Sequence, residues 1–186
     1  MTVNYPIHHN ADGSHSLRHI CKGVVTLLIL LLLIPHLAYG EINDGKANRI
    51  VSGIISFTHW PSLTNPPQLC VFSSARHLTL PENITSPAAT FSVVYIAAAG
   101  DLSAHGCDAL YFGVENPQQQ AKIIQQLHGR SVLTLAENNT DCTVGAAFCL
   151  IFQPDRTLFS VNLDSLARSG VRVSPDALLL SRQRIE

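Results

Sequence analysis

Cysteine is the residue type in this sequence whose number and spacing carry the clearest chemistry. One cysteine, Cys21, lies in the first forty residues, and four more follow it. An even number of cysteines in an oxidising compartment indicates two disulfides, for which three pairings are possible. The pairing of Cys70 with Cys107 and of Cys142 with Cys149 is favoured, because only six residues lie between the last two and a turn can bring them together.

A metal site or a catalytic centre is the other use that these residue types could have. The chain has no CxxC pair, and His59, His77, His105 and His128 fall at unrelated spacings, which disfavours a metal site. No GxSxG, GxGxxG, P-loop or HExxH pattern is present. Asp101, His105 and Asp108 could supply an acid or base, but this stretch reads as a polar loop around Cys107. We therefore predict a protein that is not an enzyme and that has no metal or cofactor.

The first forty residues have the organisation of a secretory signal. Residues 1–22 are polar with a basic end, residues 24–34 are apolar, and Pro35 follows. The triplet Ala38-Tyr39-Gly40 supplies the small residues that signal peptidase requires. An uncleaved anchor is the alternative, but the eleven apolar residues are fewer than the roughly 20 that span a bilayer. We expect cleavage after Gly40, a mature domain over residues 41–186 and no insertion of that domain into a membrane.

The charge of the mature chain excludes some classes of partner. Residues 41–186 contain ten basic and twelve acidic residues, a net charge of −2, with no basic run. Nucleic acid and anionic membrane surfaces are therefore not expected partners.

The elements that must position the cysteines follow from apolar periodicity. Apolar runs predict strands over 68–72, 91–96, 109–113 and 131–135, and a hairpin of 148–152 with 158–161. Helical spacing predicts four helices. The first covers 45–59, with Asp44 as N-cap and Trp60-Pro61 as its end, and the second runs from Asn116-Pro117 to Leu127. The third is short and is capped by Asn162 or Asp164, and the last begins at Ser174-Pro175. Strands that alternate with helices indicate a single α/β domain with a mainly parallel central sheet, helices on its faces and a C-terminal antiparallel hairpin.

The segment Phe57-Thr58-His59-Trp60-Pro61 is a candidate recognition surface. Trp60 is the only tryptophan in the chain, and tryptophan is enriched in binding hot spots. The alternative is that Trp60 belongs to the core and His59 lies on the surface.

Several segments, taken in order, carry a resemblance to a known family. They are Phe57-Thr58-His59-Trp60-Pro61, Leu69-Cys70-Val71-Phe72, Gly106-Cys107, Ala109-Leu110-Tyr111-Phe112-Gly113, residues 145–152, Phe159-Ser160-Val161-Asn162-Leu163, Ala167-Arg168-Ser169-Gly170-Val171, Ser174-Pro175 and Leu178-Leu179-Leu180. On these segments nearly the whole mature chain resembles the YfiR/HmsC family of periplasmic repressors of membrane-bound diguanylate cyclases.

The resemblance implies a function that composition alone does not indicate. Proteins of this family bind the periplasmic sensor domain of an inner-membrane diguanylate cyclase and hold it inactive, which lowers cyclic di-GMP, exopolysaccharide and biofilm formation. An outer-membrane lipoprotein can sequester the repressor, and a homodimer is a further expected partner state. The resemblance also implies the two disulfides Cys70–Cys107 and Cys142–Cys149, and an activity that depends on the redox state of the periplasm.

Two expectations about binding remain open at this point. Exposed apolar residues around the first and last helices are the expected partner surface, with Phe57, Trp60, Leu163 and Leu166 as its candidates. The competing class of protein is a periplasmic small-ligand-binding module, because α/β sheets bind ligands at their switch points. Nothing in the sequence names such a ligand.

Overall fold

The computed structural model describes residues 45–86 and 89–181. The predicted signal over residues 1–40 lies outside the described residues and stays a prediction. In chain order the elements are α1 (Lys46–Ser56), β1 (Thr58–His59), β2 (Gln68–Phe72), β3 (Asn83–Thr85), β4 (Thr90–Ile96), a 3₁₀ helix (Ala99–Ser103), β5 (Ala109–Phe112), α2 (Pro117–Gln125), β6 (Leu133–Ala136), β7 (Phe148–Phe152), β8 (Thr157–Val161), α3 (Leu163–Arg168), β9 (Arg172–Val173) and a second 3₁₀ helix (Pro175–Ser181).

Seven of these strands form one sheet, in the order β3-β4-β2-β5-β6-β7-β8. Strands β4, β2, β5, β6 and β7 run parallel, whereas β3 and β8 pair antiparallel at the two edges. Because β2 pairs with both β4 and β5, the winding direction reverses between β2 and β5, which is the switch point of a doubly wound sheet. The predicted α/β domain is confirmed, with β7 and β8 as its antiparallel hairpin.

The central strands are apolar at successive positions because both faces of the sheet are covered. All four residues of β5 and all four of β6 are buried, as expected for parallel strands between helices. Side chains alternate between two cores: Leu69 and Val71 of β2 join the cluster that contains Ile54 of α1. Cys70 of β2 joins the opposite cluster, which contains Leu127 beyond α2. Burial of each large aliphatic side chain contributes about 1.5–3 kcal/mol.

The first helix is shorter than the sequence predicts. It ends at Ser56 rather than at residue 59, and Gly45, in a left-handed conformation, occupies the N-cap position that was predicted for Asp44. Residues Thr58 and His59 instead pair with Val173 and Arg172 of β9 in a separate two-stranded sheet. Helical periodicity cannot reveal this boundary, because the strand depends on a partner more than a hundred residues away.

The C-terminal half follows the prediction more closely. Asn162, rather than Asp164, caps α3, and its side chain accepts a hydrogen bond from the Ser165 N–H at 3.0 Å. The helix after Asn116 ends at Gln125 and begins with a capping box of Asn116 and Gln119. The last helix is a 3₁₀ helix. Strand β3 and the 3₁₀ helix Ala99–Ser103 were not predicted.

Candidate functional site

Both predicted disulfides are present. Cys70 lies within β2 and pairs with Cys107, which precedes β5, with a Cα–Cα distance of 5.6 Å. Cys142 lies in the loop after β6 and pairs with Cys149 of β7, with a Cα–Cα distance of 5.7 Å. These distances are those of ordinary disulfides. The first bridge therefore connects β2 to the segment that enters β5, beside the switch point, and the second closes a loop onto the strand that begins the hairpin.

Two buried amides hold the loop that the second bridge closes. Gln120 of α2 is fully buried, and Asn139 is 3% exposed. The Gln120 Oε1 atom accepts hydrogen bonds from Asn139 Nδ2 at 2.9 Å and from the Ala146 N–H at 3.3 Å. Asn139 also accepts from the Cys142 N–H at 3.1 Å and donates to the Val144 carbonyl at 2.7 Å. The side chains of Gln120 and Asn139 therefore fix the conformation of this loop together with the disulfide.

A crevice opens at the carboxyl ends of β2, β5 and β6, with a volume of about 290 Å³ and Arg76, His77, Val114, Glu137 and Asn138 among its lining residues. A doubly wound sheet places ligands in this position. Here the Glu137 carboxylate accepts hydrogen bonds from the backbone N–H groups of Arg76 at 2.7 Å and His77 at 3.1 Å. The two backbone N–H groups that could otherwise bind an anionic ligand in this crevice therefore donate to Glu137 instead.

The same carboxylate accepts a hydrogen bond from the Tyr111 hydroxyl at 3.0 Å. Tyr111 is fully buried in β5. Burial, and then the neighbouring negative charge of Glu137, raise the pKa of Tyr111 well above its ordinary value. The tyrosine therefore stays neutral and acts as a fixed donor.

On the β5 side of the crevice, Gly113 packs closely against the turn after β2. A Cβ atom at Gly113 would lie 2.5 Å from the Ser74 carbonyl carbon. Glu115 stabilises this contact by accepting hydrogen bonds from the Ser74 hydroxyl and from the Gly113 N–H, both at 2.8 Å. The two carboxylates, Glu115 and Glu137, thus fasten the turn after β2 to the ends of β5 and β6.

The residues considered for acid–base chemistry hold backbone. Asp101 accepts hydrogen bonds from the N–H groups of Ala97 and Ala98 and so caps the first 3₁₀ helix. Asp108 accepts from the Gln68 N–H at 2.9 Å. His105 lies between them in the chain and is partly exposed.

The four candidate partner residues fall into different environments. Leu163, at the start of α3, is 74% exposed, whereas Leu166 is partly buried and packs against the main core. Phe57 is partly buried at the C-cap of α1. Trp60 is only 6% exposed, and its indole Nε1 donates to the Asp108 carbonyl at 2.9 Å. The structure therefore agrees with the alternative that Trp60 belongs to the core, and His59 is exposed.

Sequence reasoning missed the residues that organise both regions, namely Gln120, Asn139, Tyr111 and Glu137. A signal for Gln120 was present, because it continues the apolar stripe of Ile124 and Leu127 one turn towards the N-terminus at helical spacing. A polar residue on an apolar stripe indicates a buried hydrogen bond. No comparable signal marks Glu137.

Within residues 45–86 and 89–181, no three His, Cys, Asp or Glu side chains group as metal ligands would. Over the same part of the chain, no helix has the length and apolar character needed to cross a bilayer.

The fold and these two regions define a class of protein: a doubly wound α/β domain with two internal disulfides, whose switch-point donors are bonded to its own carboxylates. A family model described as YfiR/HmsC-like matches residues 46–182, and the chain belongs to this family. The resemblance given above is thereby confirmed. At the level of the family, membership supports a periplasmic regulator of cyclic di-GMP signalling, and the family is regulatory and non-catalytic.

Proposed function

We propose that this protein is a periplasmic negative regulator that binds the periplasmic sensor domain of an inner-membrane diguanylate cyclase and keeps the cyclase inactive. The observation that carries the proposal is the family match, which begins at the first residue of α1 and extends past the last 3₁₀ helix. The match therefore covers every element of the domain that is described, including both disulfides.

Repression of this kind needs only a difference in affinity. A protein that binds the inactive form of the cyclase more tightly than the active form shifts the population towards the inactive form. Only folded repressor can bind, so repression weakens in proportion to any loss of the folded population. Reduction of the disulfides lowers that population, and this gives repression its redox sensitivity.

We place the partner surface around α3 and the end of α1. Leu163 supports this choice because an exposed leucine of 74% accessibility at the start of a helix offers apolar area to a partner. Leu166 and Phe57 are partly exposed and would extend the contact. Trp60, which is buried, would act indirectly, since its indole fixes the segment after β1 to the carbonyl of Asp108.

Two further partners belong to the proposal. An outer-membrane lipoprotein removes the repressor from the cyclase when the system is switched on, and two copies of the repressor form a homodimer. Size-exclusion chromatography with light scattering on the exported protein measures the second of these directly.

The deciding experiment measures cyclic di-GMP in the source bacterium with the gene deleted and then restored. We expect cyclic di-GMP to rise on deletion and to return on restoration. The matched control deletes the gene in a strain that also lacks the cyclase it is proposed to restrain, where no rise is expected. An unchanged level in the single deletion contradicts the proposal and favours the ligand-binding alternative.

A further inference from the structure

The loop between Cys142 and Cys149 is fastened to the rest of the domain independently of its disulfide. Cys142 has φ = 50°, a left-handed conformation that a non-glycine residue adopts when its surroundings impose it. The Asn139 Oδ1 atom accepts the Cys142 N–H at 3.1 Å, and this hydrogen bond holds that conformation. Asn139 is itself oriented by Gln120, through the 2.9 Å hydrogen bond to Oε1.

The far side of the loop is fastened to the same glutamine. Gly145 has φ = 93°, and a Cβ atom there would lie 2.6 Å from Gln120 Oε1. Glycine at this position therefore permits the backbone to approach the amide, so that the Ala146 N–H can donate to Oε1 at 3.3 Å. From the opposite direction the Ser165 hydroxyl of α3 donates to the Gly145 carbonyl at 2.6 Å.

We propose that Gln120 is a positioning residue that sets how readily the Cys142–Cys149 disulfide is reduced. Gln120 and the disulfide order the same loop, so each interaction forms more favourably when the other is present. When the sulfur–sulfur bond opens, the hydrogen bonds to Gln120 still hold the two thiols close together. A dithiol whose sulfurs are held close re-forms its bridge readily, and its disulfide resists reduction.

The chemical step is an ordinary thiol–disulfide exchange. A dithiol reductant supplies two electrons and two protons, the Cys142–Cys149 bond breaks to give two thiols, and the reductant becomes a disulfide. Loss of Gln120 leaves the reduced loop freer, so the equilibrium shifts towards the reduced form.

The coupling also runs in the opposite direction. Gln120 Nε2 donates to the Glu115 carbonyl at 2.7 Å, and Glu115 binds the turn after β2 through Ser74. Since coupling between two interactions is reciprocal, reduction of Cys142–Cys149 weakens the hold of Gln120 on the rim of the switch-point crevice. This is a property of the domain itself and does not require a bound cyclase.

The Cys70–Cys107 disulfide is an internal reference for the test. It connects β2 to the segment that precedes β5, and the described hydrogen bonds of Gln120 reach neither of its cysteines. A substitution that simply weakens the whole fold makes both disulfides easier to reduce. Loss of the hydrogen bonds that Gln120 makes to the loop shifts only the reduction equilibrium of Cys142–Cys149.

The experiment equilibrates protein made from the full-length chain in dithiothreitol redox buffers, then traps thiols by alkylation and assigns them by mass mapping. For each protein we compare the reduction equilibrium constants of the two disulfides. In Gln120→Leu we expect the constant for Cys142–Cys149 to rise about tenfold relative to that for Cys70–Cys107, a shift of about 30 mV. Ser165→Ala, a milder loosening of the same loop, should raise the ratio about threefold.

The matched control is Gln118→Leu, which replaces an exposed glutamine of the same helix and should leave the ratio unchanged. An unchanged ratio in Gln120→Leu, or an equal shift of both disulfides, overturns the proposal. Should Gln120→Leu fail to fold, Ser165→Ala decides by the same criterion.

Discussion

The Tyr111 hydroxyl donates a 3.0 Å hydrogen bond to the carboxylate of Glu137, and the tyrosine is fully buried. This pair joins β5 to the residue that follows β6. Glu137 also accepts hydrogen bonds from two N–H groups of the segment after β2. A neutral tyrosine beside a fixed carboxylate makes stability depend on pH in the alkaline range.

Tyr111→Phe should reveal that dependence. The folded-state pKa of Tyr111 is raised, so its protonated form is favoured by folding, and its contribution is complete below the unfolded-state pKa of about 10. Above about pH 10 the unfolded tyrosine ionises while the folded one does not, and stability falls with rising pH. Urea unfolding at pH 8 and pH 11 should show the wild type losing more stability than Tyr111→Phe; equal losses would count against the assignment.

Glu137→Gln should destabilise the fold. The substitution removes a charged acceptor from three hydrogen bonds, and hydrogen bonds to charged groups contribute about 1.5–3 kcal/mol each. Because the amide oxygen can keep part of this set, we expect a loss of about 2 kcal/mol in the free energy of unfolding. Glu82→Gln, at an exposed position, is the control and should change little. Equal stability of the two variants contradicts the role given to Glu137.

Gly113→Ala tests the close contact at the crevice. The added Cβ would overlap the backbone of Ser74, and overpacking of this kind costs about 1–3 kcal/mol. Gly106→Ala is a sharp control, since a Cβ there meets nothing within 4 Å. Thermal unfolding of the two variants should separate them clearly, and a Gly113→Ala melting temperature equal to that of Gly106→Ala would refute the contact.

Removal of the Cys142–Cys149 disulfide should lower both the stability of the domain and its repression. Loop closure assigns about 2.5 kcal/mol to Cys142–Cys149 and about 4 kcal/mol to Cys70–Cys107. The short bridge nevertheless fixes the loop that enters β7, so Cys142→Ser should lower both the melting temperature and repression. Unchanged melting and intact repression in that variant would remove Cys142–Cys149 as a determinant of activity.

Leu163→Ala tests the proposed partner surface. Leu163 is 74% exposed, so its truncation should change stability by less than about 0.5 kcal/mol. We expect repression to weaken while melting stays constant. Val114→Ala, at another exposed apolar residue of 45% accessibility, is the matched control and should repress as the wild type does. Normal repression by Leu163→Ala excludes this residue from the interface.

The parts of the fold that were predictable are those whose signal is local. Strand β2 was predicted with its observed bounds because buried parallel strands are continuous apolar runs. The cap of α3 was narrowed to Asn162 or Asp164, because both residue types accept backbone N–H groups at a helix start, and the structure selects Asn162. Strand β1 was missed because its two residues acquire strand geometry only from β9. Pairing of the cysteines was predictable from spacing, since six intervening residues favour a local bridge.

The organisation of the two candidate regions was less accessible. The position of Gln120 on the apolar stripe indicates burial, but the helical spacing does not say which groups its amide binds, because those groups belong to the loop before β7. Glu137 gains its role from N–H groups about sixty residues earlier in the chain. Such roles arise from the strand order, which brings the ends of β2, β5 and β6 together and which no single segment specifies.

The Cys70–Cys107 bridge has a mechanical consequence for the crevice. It joins the middle of β2 to Cys107, two residues before β5 begins, so the covalent link lies towards the end of this strand pair opposite the crevice. The amino-terminal side of this strand pair is therefore held covalently, whereas the crevice side is held by hydrogen bonds. A molecule that binds at the carboxyl ends of the strands can rearrange the turns there by replacing the hydrogen bonds of Glu115 and Glu137, while the covalent link stays in place.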